Sequence, residues 1–313
     1  MFPKLTDAAL TAALILTIAL IAFATSAINT TVAQAYTLGA ADSSTQAAPL
    51  AGQLGAHTYR VVMDSTVPLE AYAARIDAYR AYGMKPQLVI DGTGTSVRGR
   101  HGKNWQTINY AIHAFKRWPD AYSVSVMNEP NESGISVCQY ARTFDRAYRM
   151  LKAAGVPRVL FGEWSPNQPI AWNDAVRDRC HAKVVADGWA WHCYDANDRW
   201  TGIQYARQIR SYLRKQRHFM HTRKGNPLGM YCTEYGALTR PLVNSAGVAA
   251  AALTDDDGAR AWSNALRQAR RYGVREIVAW GVMEAPSGSR WDSSIVDSDG
   301  RPRQAFQVIA SQQ

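Results

Sequence analysis

Two glutamates far apart in the chain, Glu129 in Asn128-Glu129-Pro130 and Glu234 in Thr233-Glu234-Tyr235-Gly236, are the residue types best suited to act as a pair. Two carboxyl groups about 5 Å apart can open an acetal by double displacement, one attacking carbon while the other protonates the leaving oxygen and then activates water. The acid must hold its proton, so Glu129 is expected to have a raised pKa from burial and from the charge of Glu234. Other polar groups lie in or just after short apolar runs: Arg60, Asp64, Asp91, Glu163, His192, Tyr194 and Asp195. Runs with only packing to do would have little reason to carry so many ionisable groups, because buried charges must be paired. Each also has a plainer reading by itself. Glu234 suits a structural ion pair, His192 a satisfied core histidine, and Arg60 a structural partner for Asp64 or Asp91.

The elements that must position these residues show a repeated punctuation. An amphipathic stretch stops at a glycine, one apolar residue follows, and a short apolar run begins, as at Gly55, Gly83, Gly155 and Gly273. Strands are expected at 36–40, 59–64, 87–91, 123–127, 158–162, 188–192, 229–233 and 276–280. Helical spacing runs over 68–82, 105–117, 137–154, 202–219 and 255–272. Eight alternating units without a separate strand cluster predict an α/β fold, a single (β/α)8 TIM barrel, over an open doubly wound sheet. The segment GTGTSVRG at 92–99 matches neither phosphate-binding glycine pattern and reads as a loop. In a closed barrel the residues named above gather at the carboxyl ends of the strands, with Glu129 and Glu234 facing each other across the mouth.

Taken together, Asn128-Glu129-Pro130 on strand four, His192-x-Tyr194 on strand six, Thr233-Glu234-Tyr235-Gly236 on strand seven, Arg60 on strand two and Trp280 on strand eight resemble the clan A retaining glycoside hydrolases, closest to the cellulase-like glycoside hydrolase family 5. The resemblance implies Glu129 as acid/base and Glu234 as nucleophile. It implies Asn128 on a sugar 2-hydroxyl, Arg60 and Tyr194 orienting the nucleophile, His192 near sugar or acid/base, and Trp280 beneath the ring. Glu163 is the rival acid/base. It ranks below Glu129 because strand five has the poorer vantage in the clan pattern, so substrate binding or loop bracing is expected of it. Family 5 enzymes usually offer a histidine at the end of strand three, where this chain reads Leu-Val-Ile-Asp91-Gly. Among Trp105, Trp164, Trp172, Trp200 and Trp291, one or two at most are expected to be sugar platforms. The activity implied is hydrolysis of a β-linked O-glycosidic bond in an oligo- or polysaccharide, without metal or other cofactor. The alternative is a catalytically silent carbohydrate- or wall-binding barrel.

Composition agrees with a globular protein: 313 residues, 47% hydrophobic and 19% charged. Residues 8–28 carry no charge, so 1–35 is expected to be a signal peptide or membrane anchor and 36–313 the catalytic barrel, placed outside the cytoplasm. The net charge of +10 raises the question of an anionic partner, but the basic residues alternate with apolar ones at helical spacing. They read as solvated helix faces, with a carbohydrate substrate, no nucleic-acid partner, and a monomer expected. Four cysteines lack metal-ligand spacing. Cys193 and Cys232 fall on neighbouring strands with opposite parity and are expected to point apart, which favours Cys138 with Cys180.

Overall fold

A computed structural model of the chain describes residues 36–91, 104–166, 169–194, 202–237, 242–243, 249–250, 253–283 and 293–313. The expected leader at 1–35 with its apolar stretch 8–28, the segment 92–99, Asp195, Trp200 and Trp291 lie outside the described residues.

Eight parallel strands close one barrel: β1 (Thr37–Ala41), β2 (Thr58–Asp64), β3 (Lys85–Asp91), β4 (Ser123–Val126), β5 (Val159–Trp164), β6 (Gly188–His192), β7 (Met230–Tyr235) and β8 (Val274–Trp280). The ring closes where β1 pairs with β8, from Thr37 opposite Glu276 to Ala41 opposite Trp280. The helices are α1 (Ala48–Gln53), α2 (Glu70–Arg80), α3 (Asn104–Arg117), α4 (Val137–Ala153), α5 (Pro169–Cys180), α6 (Ala206–Lys215), α7 (Asp255–Tyr272) and α8 (Gln304–Ala310). Strand ends differ from expectation by a residue or two. Helix α6 is shorter than its spacing suggested at both ends: Ile203–Tyr205 is a tight turn before it, and it stops at Lys215. The helix stops are as expected: Gly55, Gly83, Gly155 and Gly273 have φ of 73°, 81°, 90° and 70°, a region closed to most side chains.

Strand alternation sorts the side chains into two compartments. Outward residues pack under the helices. Tyr59, for example, stacks on Tyr79 of α2 at 3.7 Å between centroids. The barrel interior is unusually polar, with Thr58, Arg60, Gln87, Ser123, Ser125, Glu163, Thr233 and Glu276 all buried. Low in the barrel, Thr58 Oγ1 donates to Glu276 Oε1 at 2.7 Å across the intervening β1. Burial pushes Glu276 up to about 7, against the Thr58 hydrogen bond and the charge of Arg158. A carboxyl raised in the folded state favours folding below its unfolded pKa, and that contribution is lost as pH rises through the folded value. Glu276→Gln removes this dependence, so its stability relative to wild type is expected to rise between pH 4.5 and 8, by on the order of 2–3 kcal/mol. Urea midpoints at the two pH values measure it, and a difference that stays flat with pH contradicts the assignment.

Two disulfides are present. Cys138 at the start of α4 joins Cys180 at the end of α5, as expected, with Cα atoms 5.2 Å apart. Cys193 and Cys232 are also bonded, with Cα atoms 5.5 Å apart, which corrects the expectation that they point to opposite faces. Pairing jumps from Trp191 opposite Cys232 to His192 opposite Glu234, so Thr233 is an extra residue in β7. The bulge resets the parity. Thr233 and Glu234 both reach interior partners, and Cys232 keeps company with Cys193.

Candidate active site

Arg60, in mid-β2, is fully buried inside the barrel and forms the hub of the site. Its Nη1 lies 2.7 Å from Glu234 Oε1, and its Nη2 donates to Asn128 Oδ1 at 2.8 Å and Glu163 Oε2 at 3.1 Å. The guanidinium also sits 5.6 Å from the ring centre of Trp280, the last residue of β8. Its partners are therefore glutamates of β5 and β7. Asp64 instead accepts from the N–H and hydroxyl of Thr66 in its own turn.

The tops of β4 and β5 carry local strain. Met127, Glu129 and Glu163 have φ of 75°, 43° and 54°, conformations that cost a side-chain-bearing residue about 1–3 kcal/mol and concentrate at functional sites. The Glu129 N–H donates to the Glu163 carbonyl at 2.9 Å, tying the two turns together. Asn131 and Ser165 add a reciprocal pair, amide to hydroxyl at 2.7 Å and backbone N–H to amide oxygen at 3.0 Å. Gly162 makes the turn possible, because a Cβ there would lie 2.5 Å from the Ala190 carbonyl. With the pairing shifted at this point, Trp164 turns outward into a cluster with Tyr140 and Phe161 while Glu163 turns in.

His192, the last residue of β6, links the carboxylates. Its Nδ1 lies 2.8 Å from Glu129 Oε1 and 3.3 Å from Glu234 Oε2, and its Nε2 lies 3.7 Å from Glu163 Oε2. Two oxygens on one nitrogen place the nearest oxygens of Glu129 and Glu234 no more than about 6 Å apart. Tyr194 donates to Glu234 Oε2 at 2.8 Å, and burial together with that carboxylate holds its phenol well above its ordinary value. The eight residues expected at the site, Arg60, Asn128, Glu129, Glu163, His192, Tyr194, Glu234 and Trp280, thus form one connected cluster.

Exposure divides that cluster into a mouth and a floor. Asn128, Glu129 and Trp280 are partly exposed, and the Glu129 side chain is 35% accessible. Glu234 is 7% accessible, and Arg60, His192 and Glu163 are buried beneath it. Glu163 is fully engaged by protein: Ser125 Oγ donates to its Oε1 at 2.7 Å and Thr233 Oγ1 to its Oε2 at 2.8 Å. No role was expected of Ser125 or of Thr233, which figured only as part of the Glu234 motif. The only signal for them is strand position, since both are small hydroxyl residues in runs otherwise read as apolar. Trp164 is buried, Trp172 packs against it, and Trp105 carries the Arg146 guanidinium 4.2 Å above its ring.

The electrostatics follow from three carboxylates around two cations. Burial disfavours a charged His192, but Glu234, Glu129 and Glu163 outweigh it and push the imidazole up to about 9. Burial likewise raises Glu163, yet Arg60, His192 and the Ser125 hydrogen bond bring it down to about 2. Glu129 was expected to be raised. Burial acts in that direction, but the His192 hydrogen bond and charge, with Arg60 behind, prevail and its pKa is lowered.

Solved structures that share this fold include glycoside hydrolases. A family 39 glycoside hydrolase from Bacteroides cellulosilyticus WH2 superposes with a TM-score of 0.68 at 14% identity, over 89% of this chain and 64% of that one. A monomeric β-xylosidase from Caulobacter crescentus CB15 gives 0.61 at 14% identity, over 88% and 67%. Cel5A of Thermotoga maritima, solved with cellobiose, gives 0.59 at 11% identity, over 87% and 97%. The chain therefore spans just under two thirds of the family 39 enzyme and nearly all of Cel5A. No protein-family profile matches it, and no curated protein matches it by sequence. The likeness is one of fold: the chain shares the closed eight-stranded parallel barrel of these enzymes.

Proposed function

We propose that this barrel is a retaining glycoside hydrolase acting on a β-linked O-glycoside, with Glu234 as nucleophile and Glu129 as acid/base. The observation that carries the reading is the shared contact of both carboxylates with His192 Nδ1, at 2.8 and 3.3 Å. Retaining pairs lie about 5–5.5 Å apart and inverting pairs about 6.5–9.5 Å, because inversion needs room for a water. The division of labour follows from the surroundings. Glu234 receives a cation and a phenol hydrogen bond, which stabilise an anion, whereas Glu129 stands more exposed at the mouth, where a leaving group departs.

In the first step a Glu234 oxygen bonds to the anomeric carbon, the glycosidic C–O bond breaks, and the Glu129 proton goes to the leaving oxygen. In the second, Glu129 takes a proton from water, the water oxygen bonds to the anomeric carbon, and the ester bond to Glu234 breaks. Asn128 at the rim suits a sugar 2-hydroxyl, and the Trp280 ring suits the apolar face of a pyranose. Two disulfides fit an oxidising compartment and the proposed export through residues 8–28. Proton NMR of the first-formed product from a panel of aryl β-glycosides and β-glycans tests the reading. The β anomer is expected first. The α anomer first would overturn the retaining mechanism, and hydrolysis of nothing in the panel would overturn the activity.

A further inference from the structure

Glu163 has no place in that two-carboxylate cycle, yet it is the most fully engaged carboxylate of the site. Its side chain is 1% exposed, too deep to meet a sugar. What it touches is the machinery that holds the other two glutamates. Arg60 reaches Glu234 through Nη1 and Glu163 through Nη2. His192 faces Glu129 and Glu234 through Nδ1, and Arg60 and Glu163 through Nε2. Thr233, bonded to Glu163, immediately precedes Glu234, and the Glu163 carbonyl holds the Glu129 N–H. The other ionisable groups that act on these residues are Tyr194 beside Glu234, Tyr140 behind Gly162, and Glu276 deeper in the barrel.

The cycle proposed above makes an electrostatic demand on this arrangement. When Glu234 becomes a glycosyl ester it loses its charge, and the fully buried Arg60 loses that counter-ion. An unpaired buried cation costs several kcal/mol and tends to move or draw in water. Glu163 is not consumed, so its charge stays on Arg60 and His192 in both half-reactions. We propose that Glu163 is a positioning residue, a buried counter-charge that keeps Arg60 and His192 in place and ionised while Glu234 cycles between carboxylate and ester. The inference rests on the glycosidase reading for its catalytic consequence and on geometry alone for its effect on His192.

Those two parts separate in one experiment on the full chain. Glu163→Gln keeps the shape and removes the charge. Glu276→Gln is the control, a buried barrel carboxylate outside the site. The readouts are the His192 imidazole titration by NMR and the pH profile of kcat/KM on an aryl β-glycoside. In Glu163→Gln, His192 is expected to titrate at least one pH unit lower. The alkaline limb of kcat/KM should not rise, because His192 stays charged at the acid pH where Glu129 titrates and the Glu163 charge that raises Glu129 is gone, with kcat down about 10- to 100-fold and KM little changed. Glu276→Gln should leave both profiles in place. An unmoved His192 titration in folded Glu163→Gln overturns the proposal whatever the activity. A shifted titration in a chain with no glycosidase activity upholds the counter-charge and sinks only the function. If the Gln variant does not fold, Glu163→Asp reads the same device: the charge persists, so His192 should titrate as in wild type while kcat falls several-fold, and wild-type kcat would overturn the role.

Discussion

Glu234→Gln is expected to lower turnover by on the order of 10⁴-fold or more on every substrate the wild type cleaves, with the fold retained. The amide keeps the shape of the side chain and still accepts from Tyr194, but it is too weak a nucleophile to form a glycosyl bond. The fold should survive because Arg60, though it loses one carboxylate, remains paired with Glu163 and bonded to Asn128. Circular dichroism and the thermal midpoint separate this from unfolding. In Glu234→Ala, where the carboxylate is gone and space is left, azide should restore turnover of an activated aryl glycoside and yield the α-glycosyl azide, by attack from the vacated face. A Glu234→Gln enzyme within ten-fold of wild type would place the nucleophile elsewhere.

The second large effect belongs to Glu129 and depends on the substrate. Glu129→Ala should cost about 10²- to 10⁴-fold on substrates with alkoxide leaving groups, since these cannot depart without a proton. With nitrophenolate-type leaving groups, which need no acid, most of the first-step loss should vanish and slow hydrolysis of the ester should limit turnover. The pH profile supplies the sign. Glu129 must be protonated to act, and His192 with Arg60 holds its carboxyl below the ordinary value. The alkaline limb of wild-type kcat/KM, which reports the free enzyme, should therefore lie on the acid side, and Glu129→Ala should lose it. Equal losses for good and poor leaving groups would remove Glu129 from the acid role, and a limb near neutrality would mean that His192 does not carry its charge.

Much of this molecule was legible before any coordinates. The repeat of helix, stopping glycine and apolar run marked four of the eight strands, because a left-handed helix stop at Gly273 or Gly55 is a property of that residue and its immediate neighbours. Polar residues in or just after the strands then marked a candidate cluster. Arg60, Asn128, Glu129, His192, Tyr194, Glu234 and Trp280 do converge, since closing a parallel barrel brings every strand end to one rim. Helices α1 and α5 were harder to see. The first is short, and the second buries only Pro169, Asn173 and Val176, too sparse a stripe to stand out as periodicity.

What local pattern determined, then, was the order of elements and the chemistry gathered at one end of the barrel. Tertiary structure alone decided three things. It joined Cys193 to Cys232, because one extra residue in β7 reverses a parity that counting by twos carries through unchanged. It turned Glu163 beneath the site, through a backbone twist at Gly162 that depends on how β5 pairs with β6. It lowered the pKa of Glu129, where the expected upward shift met His192 from β6 and Arg60 from β2. The common reason is range. Helix stops and strand periodicity come from neighbours along the chain, whereas register and pKa come from partners across the barrel, and Coulomb terms depend on distance in space rather than in sequence.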